Sequence, residues 1–316
     1  MKLRIGTFNA ENLFARFKFK GVQITKNGKK TWRPYTAKEL EGIAKDGWMV
    51  DKTFFAPFDP ASRKLTAAAI KNIKADVLAL QEIEAMDTLK KFNTSFLSDA
   101  GYKYKCLIDA NDPRFIDVAV LSKYPFAYIR TYQFDRTPDN NSYVFSRDCL
   151  EVGIEYAPGK VLPIFVNHFK SMMGGREKTM ARRKMQAERV VAILNARFNN
   201  NPGGTPWVVL GDLNDYVPSS GLDPLLNQPW LENVLQRLPL DEQWTHFYAK
   251  QKEYHQLDYI LLSQALAEAN PDVLPYIERG GQPKRATRYT GKRFPGVGDN
   301  APKASDHCPV VVEIDV

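Results

Sequence analysis

Carboxylates, amides and imidazoles recur in this sequence at one kind of place, directly after a run of apolar residues. "WVVLGDLNDY" (207–216) ends such a run at Gly211 and then delivers Asp212, Asn214 and Asp215. Asn9 closes "KLRIGTFN", Glu82 closes "ADVLALQE", and His168 stands at the end of "KVLPIFVNH". Asp306 and His307 come just before the last apolar run, "PVVVEIDV". Taken singly, each has an ordinary explanation, since Asp and Asn favour turns after strands. As a set they hold what metal-assisted phosphoester chemistry needs. Carboxylate and amide oxygens suit Mg²⁺, which keeps several waters and binds through few protein groups. Imidazoles exchange protons near neutral pH. The chain has four histidines, and two of them, His168 and His307, lie in these motifs. No HExxH pair or Cys/His spacing is present, so a zinc site is not expected.

Other polar residues near these motifs read as structural. Asp215 reads as the cap of the turn after Asn214, with support of the Asp212–Asn214 pair as the alternative, and His246 and His255 in "WTHFYAKQKEYHQLDY" read as surface or packing residues. Cys308 beside His307 reads as a small packing residue, because nothing around it requires a thiolate. With Cys106 and Cys149 it makes an odd, scattered set that implies no disulfide framework.

The elements that must position the motifs are strands. Besides those above, "IDVAVLSKYP", "SYVFSRDCLEVGIEY", "HQLDYILLS" and the C-terminal run all have strand character. "SRKLTAAAIKNIK" and the long basic "REKTMARRKMQAERVVAILNARF" read as helices. Strands and helices mix without the strict alternation of a doubly wound sheet. The expected class is α/β or α+β with layered sheets, in a single domain over residues 1–316. Residues from about 15 to 60 look like an insertion. Asn27-Gly28 marks a hairpin turn, and Thr36 with Glu39 forms a capping box that opens a helix.

Lys and Arg outnumber Asp and Glu by 44 to 36, a formal net charge of +8. A basic surface raises the local concentration of a polyanion such as nucleic acid. The positive residues gather in three places: the hairpin (Lys18, Lys20, Lys26, Lys29, Lys30, Arg33), the long helix (Arg176, Lys178, Arg182, Arg183, Lys184) and "KRATRYTGKRFPG". In the hairpin Phe17, Phe19, Trp32 and Tyr35 interleave with the charges, the mixture that stacks on bases and tracks phosphates. No apolar run reaches the length of a membrane span, and no stable membrane association is expected. The N-terminus enters a strand pattern at once, so a cytoplasmic protein is expected, or a secreted one if a leader has been removed.

The blocks "TFNAEN", "LALQE", "NHFKS", "GDLND", "QLDYILLS" and "SDHCPV", in this order, resemble the endonuclease/exonuclease/phosphatase superfamily. That superfamily includes deoxyribonuclease I, the exonuclease III-type apurinic endonucleases and neutral sphingomyelinases. The likeness runs from Asn9 to the C-terminus and is interrupted mainly by the insertion. It implies a four-layer sandwich of two packed mixed β-sheets flanked by helices. It also implies a metal site at Glu82 with Asn9 and Asp306, and a water- and phosphate-positioning pair, Asp212 and Asn214, able to hold a second ion. By the same likeness His168 and His307 are the catalytic imidazoles, oriented by Asp117 and Asp258. Arg147 becomes a phosphate contact, and Lys170, Ser171, Arg182 and Arg183 fall where nucleic acid would be gripped.

The activity so implied is a Mg²⁺-dependent phosphodiesterase, with Mn²⁺ or Ca²⁺ as substitutes, acting as a monomer on DNA or RNA. Two other readings stand beside it. A phosphoesterase for small-molecule or lipid phosphodiesters would share the motifs, although a lipid enzyme should carry an apolar hairpin tip where this chain has Lys-Asn-Gly-Lys-Lys. A binding module without catalysis would be expected to lack some of the motif residues, and all are present.

Overall fold

Two six-stranded sheets lie face to face, and each is mixed for the same reason. In the first, β1 (Lys2–Leu13) runs parallel to β5 (Val77–Ile83), and helix α1 (Pro60–Ile73) lies between them in the chain. In the second, β10 (Lys160–His168) runs parallel to β11 (Val208–Asp212), with α2 (Arg176–Arg197) between them in the chain. Parallel neighbours need such a crossover, whereas the remaining pairs are antiparallel. The order of the first sheet is β16 (Tyr276–Ile277), β17 (Val310–Asp315), β1, β5, β7 (Asp117–Ser122), β6 (Tyr104–Leu107). The second runs β12 (Leu231–Asn233), β15 (Asp258–Ser263), β11, β10, β9 (Cys149–Ala157), β8 (Phe126–Arg130). The computed structural model describes residues 1–13 and 60–316, and between them only the backbone of the strands β2 (Lys18–Ile24), β3 (Lys30–Tyr35) and β4 (Phe55–Ala56).

Three cores follow from the two-residue period of the strands. Val77 and Ala79 of β5 join Ile164, Val166, Val208 and Leu210 in the core between the sheets. Their neighbours Leu78 and Leu80 point the other way, into a core that includes Ile70 and Ile73 of α1. On the far side Phe165 and Val209 meet Val190, Ile193 and Leu194 of α2. The layers are therefore helix, sheet, sheet, helix, the sandwich expected from the motifs.

Most expected elements form, with one difference. The strand expected over "SYVFSRDCLEVGIEY" begins only at Cys149. Asp148 has a left-handed backbone (φ +68°) and its carboxylate accepts from Thr131, Tyr132 and Cys149, which holds the preceding residues in a loop. The expected hairpin is present as antiparallel β2 and β3, paired from Phe19–Tyr35 to Ile24–Lys30, with β4 added to its other side. The turn at Asn27-Gly28 and the helix from Thr36 to Glu39 lie outside the described residues. No helix among the described residues is long and apolar enough to cross a membrane.

Candidate active site

Strand register brings the motif residues to one rim. Asn9 lies opposite Gln81, next to Glu82, and His168 lies opposite Asp212, both in parallel pairs whose C-terminal ends coincide. The antiparallel neighbours supply their N-terminal ends: Asp258 opens β15 opposite Asp212, and Asp117 opens β7 opposite Ile83. Asp306 and His307 precede β17, which pairs with β1. Several pieces of chain remote in sequence thus converge because their strands end together.

Asp212 is the hub. Its Oδ1 accepts from the Asn214 backbone N–H at 2.8 Å, and its Oδ2 accepts from Asn214 Nδ2 at 2.9 Å and Asn9 Nδ2 at 3.0 Å. The same Oδ2 lies 3.5 Å from His168 Nε2 and 3.8 Å from His307 Nε2. The GDLND turn is built for this. Gly211 has φ +136°, and a Cβ there would lie 1.9 Å from the Asn167 carbonyl oxygen, so only glycine fits. Burial pushes the Asp212 carboxyl up to about 7 against the lowering effect of His307.

Glu82 sits at an irregularity between Gln81 and Ile83, with φ +65°, which turns its carboxylate back to the rim. Its Oε1 accepts from Asn9 Nδ2 at 3.4 Å and its Oε2 from the Asn12 N–H at 2.9 Å. Burial, and after it Asp306, raise its pKa. The Asn9 amide nitrogen therefore bridges two carboxylates, while its oxygen accepts from the Glu11 N–H at 3.0 Å. In this arrangement the Asn9 side chain positions both carboxylates.

One of the two expected His–Asp pairs is formed. His307 Nδ1 lies 2.8 Å from Asp258 Oδ2, which also accepts from Thr245 Oγ1 at 2.7 Å. Burial alone would depress the imidazole, but Asp258 and then Asp212 outweigh it and raise it well above the usual range. The other pair is not formed. Asp117 Oδ1 accepts from the Ala110 N–H at 3.1 Å instead, and among the described residues neither Asp117 Oδ2 nor His168 Nδ1 has a hydrogen-bond partner. Asp117 is buried, which pushes it up to about 7. His168 is pushed well below the usual imidazole range by burial and then by the Arg147 charge. The two imidazoles are thus pushed in opposite directions, His168 down and His307 up.

The expected phosphate and nucleic-acid contacts divide by burial. Arg147 is 3% exposed, with Nε on Asp112 at 2.9 Å and Nη1 on the Phe169 carbonyl at 2.9 Å, so it acts from beneath the rim. Arg183 is fully buried, which removes it as a nucleic-acid contact. Its Nε donates to Asp215 Oδ2 at 2.8 Å, and Asp215 also takes Arg176 Nε at 2.6 Å and Ser219 Oγ at 2.8 Å. Asp215 is therefore the centre of a buried ion-pair network under the site, more than a turn cap. Lys170, Ser171 and Arg182 are half-buried and reach solvent, with Arg114 exposed beside Asp112. The charges of Arg147, Arg114 and Arg182 all bear on Lys170, so this flank of His168 is strongly positive.

Two residues at the rim were not foreseen from the sequence. Glu11 Oε2 accepts from the Asp306 N–H at 2.9 Å and pairs with Lys303 at 2.7 Å; burial and then Asp306 push it up to about 7. His246 opens β13 (His246–Tyr248), and its Nε2 lies 3.8 Å from Asp306 Oδ2. Burial pushes the Asp306 carboxyl upward, but His246, His307 and Lys303 outweigh it and hold it well below the usual range. A tertiary bridge placed His246 here, and no local motif signals such a bridge.

A divalent cation fits this donor set. Glu82, Asp212, Asp306 and the Asn214 amide offer hard oxygens at this rim, and burial raises Glu82 and Asp212 even against the lowering effect of His307. Asp212, Asp258 and His307 bring ligand atoms within 4.8 Å of one another, and Asn9 ties Glu82 and Asp212 to the same rim.

The fold is similar to that of truncated TDP2 from Caenorhabditis elegans, with a TM-score of 0.60 at 14% identity, covering 100% of this chain and 98% of that one. An endonuclease/exonuclease/phosphatase family protein from Bacteroides thetaiotaomicron gives 0.60 at 15%, covering 100% and 99%. The human Nocturnin catalytic domain, with bound sulfate anion, gives 0.59 at 15%, covering 99% and 94%. No curated protein sequence matches the chain. The profile of the Endonuclease/Exonuclease/phosphatase family covers residues 48–307, and the protein belongs to that family of metal-dependent phosphoesterases.

Proposed function

We propose that the protein is a Mg²⁺-dependent nuclease, with DNA as its first substrate, hydrolysing a phosphodiester by in-line attack of water. The observation that carries this reading is the Asp212 carboxylate, set between two histidines of opposite charge preference and two amide donors. Environments that push neighbouring groups apart are what acid–base division of labour requires. Asp212 accepts from both the backbone N–H and the side-chain amide of Asn214, and the two residues together orient the attacking water. His307, kept cationic by Asp258, donates to the charge that develops on phosphoryl oxygens. Neutral His168 gives a second, uncharged hydrogen bond. A bound divalent cation would add Lewis-acid neutralisation of the phosphate, with Mn²⁺ or Ca²⁺ as substitutes.

Nucleic acid is favoured over a small ester by the positive flank beside His168, where Arg114, Lys170 and Arg182 cluster outside the catalytic groups. A second basic stretch, Lys284, Arg285, Arg288 and Lys292, is exposed on the loop that leads to Asp306 and His307. Cations on both sides of the rim suit a chain of phosphates longer than the one being cut. The test is digestion of supercoiled plasmid, end-labelled DNA and end-labelled RNA with Mg²⁺ and with EDTA. Cleavage abolished by EDTA is expected. Turnover of a small phosphodiester with no cleavage of either polymer would overturn the nuclease reading.

A further inference from the structure

We infer that His246, Asp306 and His307 form a second divalent-cation site, one that favours nitrogen-loving transition ions of the zinc class over Mg²⁺. His246 and His307 form an antiparallel bridge, flanked by hydrogen bonds from Phe247 N–H to the Asp306 carbonyl (3.0 Å) and from Cys308 N–H to the Thr245 carbonyl (2.6 Å). Directly opposed residues in such a ladder share a face, which is why the two imidazoles converge. Their ring centroids are 4.6 Å apart. One ligating atom from each of the three residues lies within 4.8 Å of the others. Zinc–ligand bonds of about 2.0–2.1 Å separate tetrahedral ligands by roughly 3.4 Å, so small side-chain rotations close the site.

The nitrogens are placed for this, with the ion taking the place of the proton on His307 Nε2. His307 Nδ1 is committed to Asp258 at 2.8 Å, which leaves Nε2 as its ligating atom. A histidine ligand oriented by a carboxylate on its other nitrogen is the usual arrangement at such centres. Among the described residues His246 Nδ1 is buried without a hydrogen-bond partner, and its Nε2 already faces Asp306. Two imidazoles and one carboxylate, with room for water, form a donor set that zinc accepts and Mg²⁺ does not prefer. The site shares Asp306 with the oxygen-rich cluster, and an ion in it would occupy the nitrogen that His307 needs for catalysis. The residues come from positions 246, 306 and 307, which is why no ligand spacing shows in the sequence.

The inference rests on the metal-site geometry and not on the substrate, so a failure of DNA cleavage leaves it untouched. Calorimetric titration of the metal-free protein with Zn²⁺ and, separately, with Mg²⁺ at pH 8 tests it, alongside the variants H246Q and H246N. Loss of a nitrogen ligand is expected to weaken Zn²⁺ by at least about tenfold while moving Mg²⁺ less than about threefold. The visible spectrum of bound Co²⁺ should change in the same variants. Unchanged melting temperatures of the metal-free variants would show that the fold is intact. Zinc affinity within threefold of the parent in both variants, or equal losses for zinc and magnesium, would overturn it.

Discussion

Asp258 and His307 are joined at 2.8 Å, and Thr245 donates to the same carboxylate oxygen at 2.7 Å. The three residues come from three segments, yet the backbone of Thr245 is itself tied to Cys308. The pair is thus held from both ends, and the imidazole has one orientation. The matching pair at His168 is absent, so the two histidines differ in charge and in how firmly they are fixed.

This difference makes Asp258 an orienting residue whose removal should be felt through His307. Asp258→Asn is expected to lower kcat about 10- to 100-fold with little change in KM, since it positions and does not touch substrate. It should also lower the pKa attributed to His307 in the pH profile. A variant with full activity and an unshifted profile would detach Asp258 from the mechanism. Asp117→Asn, with no bond to His168 to lose, is expected to cost less than Asp258→Asn.

His168→Ala and Asp212→Ala are each expected to lower kcat by about 10²–10⁴ while the far-ultraviolet dichroism stays native. Asp212 also organises Asn9 and Asn214, so Asp212→Ala should weaken divalent-cation binding, whereas His168→Ala should not. Near-full metal-dependent activity in both variants would show that the cluster is not the catalytic site.

Much of this was legible in the sequence because strand ends are local. An apolar run followed by Asp, Asn, Glu or His says where a rigid element stops, and strands that stop together make a rim. Asn9, Glu82, His168 and Asp212 could be found that way, whereas the Asp258–His307 pair followed only from the likeness to the family. Burial around a turn could not. Arg183 stood in a basic helix and looked like a surface charge, but its face of the helix packs under the site and meets Asp215. His246 was equally hidden, because a single bridge between remote segments leaves no periodicity to read.

Arg183 and its neighbours on the helix should therefore separate stability from binding. Arg183→Met leaves Asp215 buried with one fewer partner, which costs about 3–5 kcal/mol and lowers the melting temperature by roughly 10 °C. Reversing Arg182 and Lys184, which reach solvent, should leave stability nearly unchanged. Under the nuclease reading the double reversal raises KM on DNA and flattens its salt dependence, by about one unit of slope for each phosphate that is no longer neutralised. An unchanged slope would remove this helix from the DNA-binding surface.

Proton linkage at the carboxylates gives a last prediction, one that needs no substrate. Asp212 and Glu11 are each held at about 7, above their values in an unfolded chain. The folded state then binds more protons than the unfolded state between about pH 4 and 7, so the stability they confer is lost as pH rises through 7. His307, raised well above its usual value, adds to the same trend. His168 and His246 are lowered, and they oppose it only below about pH 6.5, where an unfolded histidine would take a proton. Between pH 6.5 and 8 that opposition fades and the net contribution keeps one sign. The metal-free protein should melt several degrees lower at pH 8 than at pH 6.5. Mg²⁺ should recover most of that loss at pH 8 and little of it at pH 6.5, because the cation takes the place the protons leave. A metal-free melting temperature that is flat or rising across this window would mean that the carboxylates are already ionised, and that the cluster needs no cation to balance it.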